Sequence, residues 1–190
     1  MFTNLRHDAA RYREFGGWYQ HLGFWAVALH RLGAAAQHLH PILRFPLLVL
    51  HRLLSQPFRL LFNIEIPSTL EVGPGLLLMH ARDVLLPAES VIGRDCTIFH
   101  EVTVGTGPIA GWPRLGDHVV LFVGCRVLGG ITIGDHTEIG ANCVVTRDVP
   151  ANMIAMAPPA RVLPKALVRP RLSVPPSTRV NDIQPALYGP

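Results

Sequence analysis

Leu115 to Val145 reads LGDHVVLFVGCRVLGGITIGDHTEIGANCVV, and one large aliphatic side chain returns at every sixth position: Leu115, Leu121, Val127, Ile133, Ile139 and Val145. Upstream the same beat runs through Ile66, Val72, Leu78 and Val84, and then through Ile92, Ile98 and Val104. Two slips interrupt it. The register advances by two residues between Val84 and Leu86, and by five between Val104 and Leu115, where a loop from Thr106 to Arg114 absorbs the excess. A helical period of 3.6 or a strand period of 2 does not explain why Gly so often follows the aliphatic residue, as in Ile92-Gly93, Leu115-Gly116, Ile133-Gly134 and Ile139-Gly140. A short strand and a turn per six residues does. Repetition at this spacing predicts a β-solenoid, in which each coil buries its aliphatic column only by stacking on its neighbours.

The 190 residues divide into a helical region at 1–63, the solenoid at 64–163 and a Pro-rich tail at 164–190. From Arg6 to Ala36, Tyr12, Phe15, Trp18, Leu22, Trp25, Leu29 and Leu32 recur at helical spacing, broken at Gly16-Gly17, which predicts one or two amphipathic helices. A second apolar stretch from Pro41 to Phe62 is punctuated by Arg44, His51, Arg52, Gln56 and Arg59, too often for a bilayer span. It reads as a helical cap packed on the first coil or across a trimer interface, or as a helix making peripheral contact with a membrane through residues 41–62. The tail, with Pro170, Pro175, Pro176, Pro185 and Pro190, is expected to be extended or disordered.

The net charge of +4 and pI near 9.4 come largely from arginines outside the repeats. No dense basic run with interleaved aromatics appears, so nucleic acid is not an expected partner. Asn4, Asp8 and Glu14 interrupt the first residues, which lack the apolar core of a signal peptide, and a cytoplasmic location is expected. Cys96, Cys125 and Cys143 each stand two positions before a repeat aliphatic, the phase of a small inward side chain. They are expected in the core, with neither disulfide nor metal.

The segments IEIPSTLEVGPGLLLMHA, VIGRDCTIFHEVTVGTG, LGDHVVLFVGCRVLGGITIGDHTEIGANCVVTRDVPANM and APPARV resemble the hexapeptide-repeat acyltransferases, and among them the serine acetyltransferases, over about residues 64–162. The resemblance implies a left-handed parallel β-helix with eighteen residues per coil, assembled as a trimer with acetyl-CoA between adjacent helices. It also implies O-acetylation of L-serine in cysteine biosynthesis. The helical region is much shorter than the one that pairs family trimers into hexamers, so a trimer is expected.

The resemblance places the general base on His80, in GLLLMHA, and its orienting carboxylate on Glu65, in IEIP. A neutral imidazole is matched to deprotonating a hydroxyl as it attacks a thioester, and a carboxylate on its far nitrogen fixes the tautomer. His80 and His100 each follow an aliphatic by two residues, so they fall one coil apart on one edge, and the resemblance implies for His100 a substrate contact or a second polar wall. Glu65 lies eighteen residues before Asp83, which predicts that the two stack near His80 and makes Asp83 a rival orienter. His118 and His136 share a phase but follow Gly-Asp turns, and read as solvated.

For acetyl-CoA the resemblance implies backbone contacts near Gly105, Val123 and Ala141, and places the far end of the cofactor near Ala157 to Arg161. Gly105 and Gly107 would let a main-chain N–H approach the thioester oxygen. Phe122, bulkier than is common there, would narrow the groove. The family's Arg-His pair, which reads the serine carboxylate, is replaced by Gly111 and Trp112, leaving Arg114 as the nearby charge. Trp112 offers a flat face for a sugar ring, so O-acetylation of a surface polysaccharide is the alternative. A zinc site like that of γ-carbonic anhydrases and a silent trimeric scaffold are further readings, though the close His pair of the zinc family is absent and no metal is expected.

Overall fold

Residues 2–162 are described by the structure, a computed structural model; the expected Pro-rich tail lies outside them. Three helices come first: α1 (Phe2–Arg11), α2 (Leu22–Ala36) and α3 (Pro41–Phe62). The break is wider than Gly16-Gly17, running over residues 12–21 with the expected helical residues Phe15 and Trp18 in short 3-10 turns, while the second apolar stretch forms one helix with the expected bounds. Among the described residues fourteen short strands follow in five coils. The first coil holds β1 (Ile64–Glu65), β2 (Glu71–Val72) and β3 (Leu77–Leu78), and the second β4 (Val84–Leu85), β5 (Val91–Ile92) and β6 (Thr97–Ile98). The third holds β7 (Thr103–Gly105), β8 (Arg114–Leu115) and β9 (Val120–Leu121), and the fourth β10 (Arg126–Leu128), β11 (Thr132–Ile133) and β12 (Glu138–Ile139). β13 (Val144–Val145) and β14 (Ile154–Ala155) complete the stack.

Every third strand up to β13 joins the same sheet, and β14 follows β12 because the second sheet's last position is a single bridge from Ile133 to Val149. This gives three parallel sheets: β1-β4-β7-β10-β13, β2-β5-β8-β11 and β3-β6-β9-β12-β14. These are the faces of a prism. Leu78, Leu86, Ile92, Ile98, Val104, Leu121, Val127, Ile133 and Ile139 point inward, each no more than 1% exposed. The six-residue period is the repeat of this interior, which no single coil could bury alone. Cys96, Cys125 and Cys143 are free and buried in it.

The register shows where the first slip falls. Leu78 pairs with Ile98, twenty residues on, whereas Leu85 pairs with Thr103, eighteen residues on. The two extra residues therefore sit between Leu78 and Leu85, in the turn that carries His80, and not after Val84. That turn spends them on two left-handed residues, His80 (φ 53°) and Asp83 (φ 52°). The second slip falls where expected, since Ile92 pairs with Leu115 across the loop.

The helices close the open edge of the first coil, whose strand groups would otherwise meet water or another strand. Gly23 of α2 crosses the backbone of β3 so closely that a Cβ there would stand 2.3 Å from the Leu78 carbonyl oxygen. Asp8 of α1 and Arg31 of α2, 0% and 6% exposed, form a two-pronged ion pair at 2.9 and 3.1 Å. Asp8 Oδ1 also accepts the N–H groups of Gly75 and Leu76 at 2.8 and 3.0 Å, while Arg31 donates to the carbonyls of Val72 and Gly73, both at 2.6 Å. The Tyr12 hydroxyl takes the Leu78 N–H at 3.0 Å. Buried charge is tolerated because each prong and each strand group is matched.

His30 sits in the same layer, 2% exposed, with Nδ1 2.9 Å from the Pro67 carbonyl oxygen, which fits a neutral ring donating from Nδ1. Burial and the adjacent Arg31 lower its pKa to about 4. The unfolded chain takes up a proton on this ring below about pH 6.5 that the folded chain refuses, so stability is full above that pH and falls as the pH drops towards 4. The loss should be on the order of 3 kcal/mol. Urea midpoints at pH 7 and pH 5 check this: the difference should shrink in His30→Gln relative to the parent chain.

Candidate active site

The edge between the third and first sheets carries a ridge of four side chains, one per coil: His80, His100, Val123 and Ala141. Each follows by two residues an inward aliphatic in a continuous ladder, Leu78 to Ile98 to Leu121 to Ile139. Backbone bonds from Gly124 N to His100 O (3.2 Å) and from Asn142 N to Val123 O (2.9 Å) fix the rungs. At a strand spacing of about 4.8 Å, the ridge runs about 14 Å from His80 to Ala141.

At its foot the two imidazoles meet edge to face, ring centroids 6.2 Å apart and planes at 81°. His80 is exposed, on the left-handed turn created by the two extra residues; His100 is half-buried. Nδ1 of His100 is buried without a hydrogen-bond partner among the described residues. An unsatisfied buried polar atom costs about 1–3 kcal/mol, so this nitrogen is a ready acceptor or donor for a ligand.

The carboxylates stand differently from expectation. Glu65 pairs with Leu85 in the first sheet and not with Asp83, because the register between these coils is twenty. Asp83 instead faces Asn63, whose Nδ2 donates to it at 3.0 Å. Among the described residues no carboxylate lies within salt-bridge distance of His80. Glu65 is half-buried on the face beside the ridge, three residues beyond the end of α3.

Gly105, Gly107, Trp112 and Arg114 lie on another edge, between the first and second sheets. The width of the first sheet, some five residues, separates them from His80 by roughly 15 Å. The loop from 106 to 113 rests on Gly129-Gly130, with Gly130 N donating to Ile109 O at 3.0 Å. A Cβ on Gly130 would come 2.3 Å from the Ala110 carbonyl oxygen, so this bed must be glycine; sequence reading passed over it, although its doubled Gly was the signal. Gly107 is small for an internal reason, since a Cβ there would meet Leu128 backbone at 2.6 Å. Gly105 is open on its outer side, its hypothetical Cβ meeting nothing nearer than 3.8 Å. Trp112 is half-buried, and Arg114 is exposed. Arg161 is exposed in the separate unit that follows Ala157.

Phe122 lies flat on Phe99, centroids 5.3 Å apart and planes 13° apart, so its bulk is taken up by its neighbour in the previous coil. His118 and His136 are exposed and stacked at 4.6 Å on the edge between the second and third sheets. The Asp residues beside them bind one coil to the next, since Asp117 and Asp135 accept the N–H groups of Arg94 and Asp117 at 2.7 and 2.8 Å. Burial pushes the thiols of Cys96 and Cys125 up to about 11 and about 12, which makes them poor nucleophiles. Among the described residues no three His, Cys, Asp or Glu side chains are grouped to hold a metal ion.

The family described as Bacterial transferase hexapeptide (six repeats) matches residues 113–147. The serine acetyltransferase of Helicobacter pylori is 41% identical over 117 residues, which are 60% of this chain and 68% of that protein. The chain belongs to the serine acetyltransferase family. Another serine acetyltransferase, that of Synechococcus elongatus, is 37% identical over 150 residues, covering 77% of this chain. The chain spans 59% of the length of that relative. A solved serine acetyltransferase in complex with CoA superposes with a TM-score of 0.61 at 28% identity, over 74% of this chain and 56% of that one. In this chain the two imidazoles stand at one end of the ridge, and Val123 and Ala141, half-buried and exposed, rise above them.

Proposed function

We propose that the chain is an acetyl-CoA-dependent O-acetyltransferase acting on the hydroxyl of L-serine, with His80 as its general base. The observation that carries this is the meeting of His80 and His100 on one ridge with Val123 and Ala141, in a chain whose relatives are serine acetyltransferases. Acetyl-CoA supplies the activated acyl carbon. His80 removes the proton from the acceptor hydroxyl as its oxygen attacks that carbon; the carbon–sulfur bond breaks and the thiol leaves with a proton. Glu65, on the adjoining face, is the carboxylate assigned to orient the His80 ring, and Asp83 is the weaker choice because Asn63 occupies it. His100 holds the acceptor through its unpartnered Nδ1.

The site needs a second copy. Trp112, Arg114 and the open side of Gly105 are a face-width from His80 in one protomer, and a neighbour's loop edge set against the histidine edge supplies them. A homotrimer, with three such clefts, is the assembly proposed.

A second reading, acetylation of a sugar hydroxyl, is favoured by Trp112 and Gly111 in place of the donor pair that would read a carboxylate. Losing such a charge-assisted contact costs roughly 1.5–3 kcal/mol, about one to two decades in KM. Thiol release with L-serine, free hexoses and oligosaccharides as acceptors separates the readings. Saturable release with L-serine alone is the expected result; release with saccharides alone would replace serine by a sugar, and none with any acceptor would leave a silent scaffold.

A further inference from the structure

We propose that the outward face of α3 docks on an anionic lipid surface, with the helix lying in the plane of the headgroups. None of the residues of α3 is buried, although the helix is mostly apolar. It is apolar on both sides: Phe58 and Phe62 pack against the core and Leu47, Leu50 and Leu54 face α2, while Ile42, Phe45, Leu53 and Leu60 are 76%, 74%, 63% and 73% exposed. With Val49 they recur at intervals of three, four and seven residues, so they form one stripe along a helix of 22 residues. At 1.5 Å per residue that stripe is about 30 Å long, far larger than the scattered apolar groups of an ordinary surface.

Charge selects the occupant. From Phe15 to Ile64 the sequence contains no Asp or Glu, while Arg44, Arg52 and Arg59 belong to α3 and are exposed. Arg52 and Arg59 are seven residues apart, on one flank of the stripe. A second copy of α3 laid against the first would bring arginines together with no carboxylate of its own to pair with them. A layer of lipid phosphates supplies the anions for the flank and a hydrocarbon boundary for the stripe. No helix among the described residues is long and apolar enough to cross a membrane, so the geometry is that of a helix lying on the surface.

Co-sedimentation of the full 190-residue chain with vesicles tests this. Vesicles of phosphatidylcholine with phosphatidylglycerol at low salt should bind at least tenfold more protein than phosphatidylcholine alone. The double change Leu53→Asp, Leu60→Asp should abolish binding without moving the thermal midpoint, since both side chains are exposed. Arg52→Gln with Arg59→Gln should weaken binding several-fold and flatten its salt dependence. Failure to pellet with either vesicle, equal binding to both, or binding indifferent to the aspartates would overturn the proposal. So would an aspartate variant of lower mass in sedimentation velocity without lipid, which assigns the stripe to a second copy.

Discussion

Replacing His80 by alanine should lower the rate of thiol release from acetyl-CoA by roughly 10²–10⁴, the worth of a positioned general base. The fall should appear in kcat, with KM for acetyl-CoA little changed, because the ridge above the imidazoles is untouched. His80 is exposed, so although alanine is less at home than histidine in the left-handed region, the change removes no buried contact and the fold should survive. Circular dichroism and an unchanged urea midpoint would verify that. Activity within threefold of the parent chain would remove His80 from the chemistry and leave His100 as the candidate base. A companion change, Glu65→Gln, discriminates the orienter: it should depress kcat and alter its dependence on pH, whereas Asp83→Asn, on a side chain already held by Asn63, should alter neither.

Asp8→Ala should be the most destabilising single change among the helices, by about 3–5 kcal/mol, since it leaves the buried Arg31 guanidinium without its counter-charge. It also strips the N–H groups of Gly75 and Leu76 of their acceptor. Against a typical stability of about 5–15 kcal/mol this is a large fraction. Urea unfolding gives the number, and a double change of Asp8 and Arg31 to apolar residues should recover part of the loss, because the desolvated charge is then gone. A cost under about 1 kcal/mol for the single change would mean that the pair is not buried as described.

The architecture was legible because the interior of a solenoid repeats in sequence as it repeats in space. Ile133 and Ile139 announce their roles through spacing alone, and so do the cysteines. The pairing of His80 with His100 was also legible: each is counted from an inward aliphatic, so an error in locating the slip cancels. Glu65 and Asp83 had no such protection. Their assumed stacking counted eighteen residues straight through the turn where two extra residues reside, and the true partners became Leu85 and Asn63. The separation of Trp112 and Arg114 from His80 follows from counting edges, since six residues advance the chain by one face. What no count could reveal was the clamp of Asp8 and Arg31. Its members come from two helices, and their partners are backbone groups of Val72, Gly73, Gly75 and Leu76, which carry no signature in side-chain chemistry.

That clamp gives the stack a direction. The first coil is finished by segments that leave the ribosome before it does, so a template for growth already exists when β1 to β3 emerge. Each later coil then adds to a completed ledge, and the nascent chain zips upward one turn at a time, with its newest strands as the growing edge during synthesis.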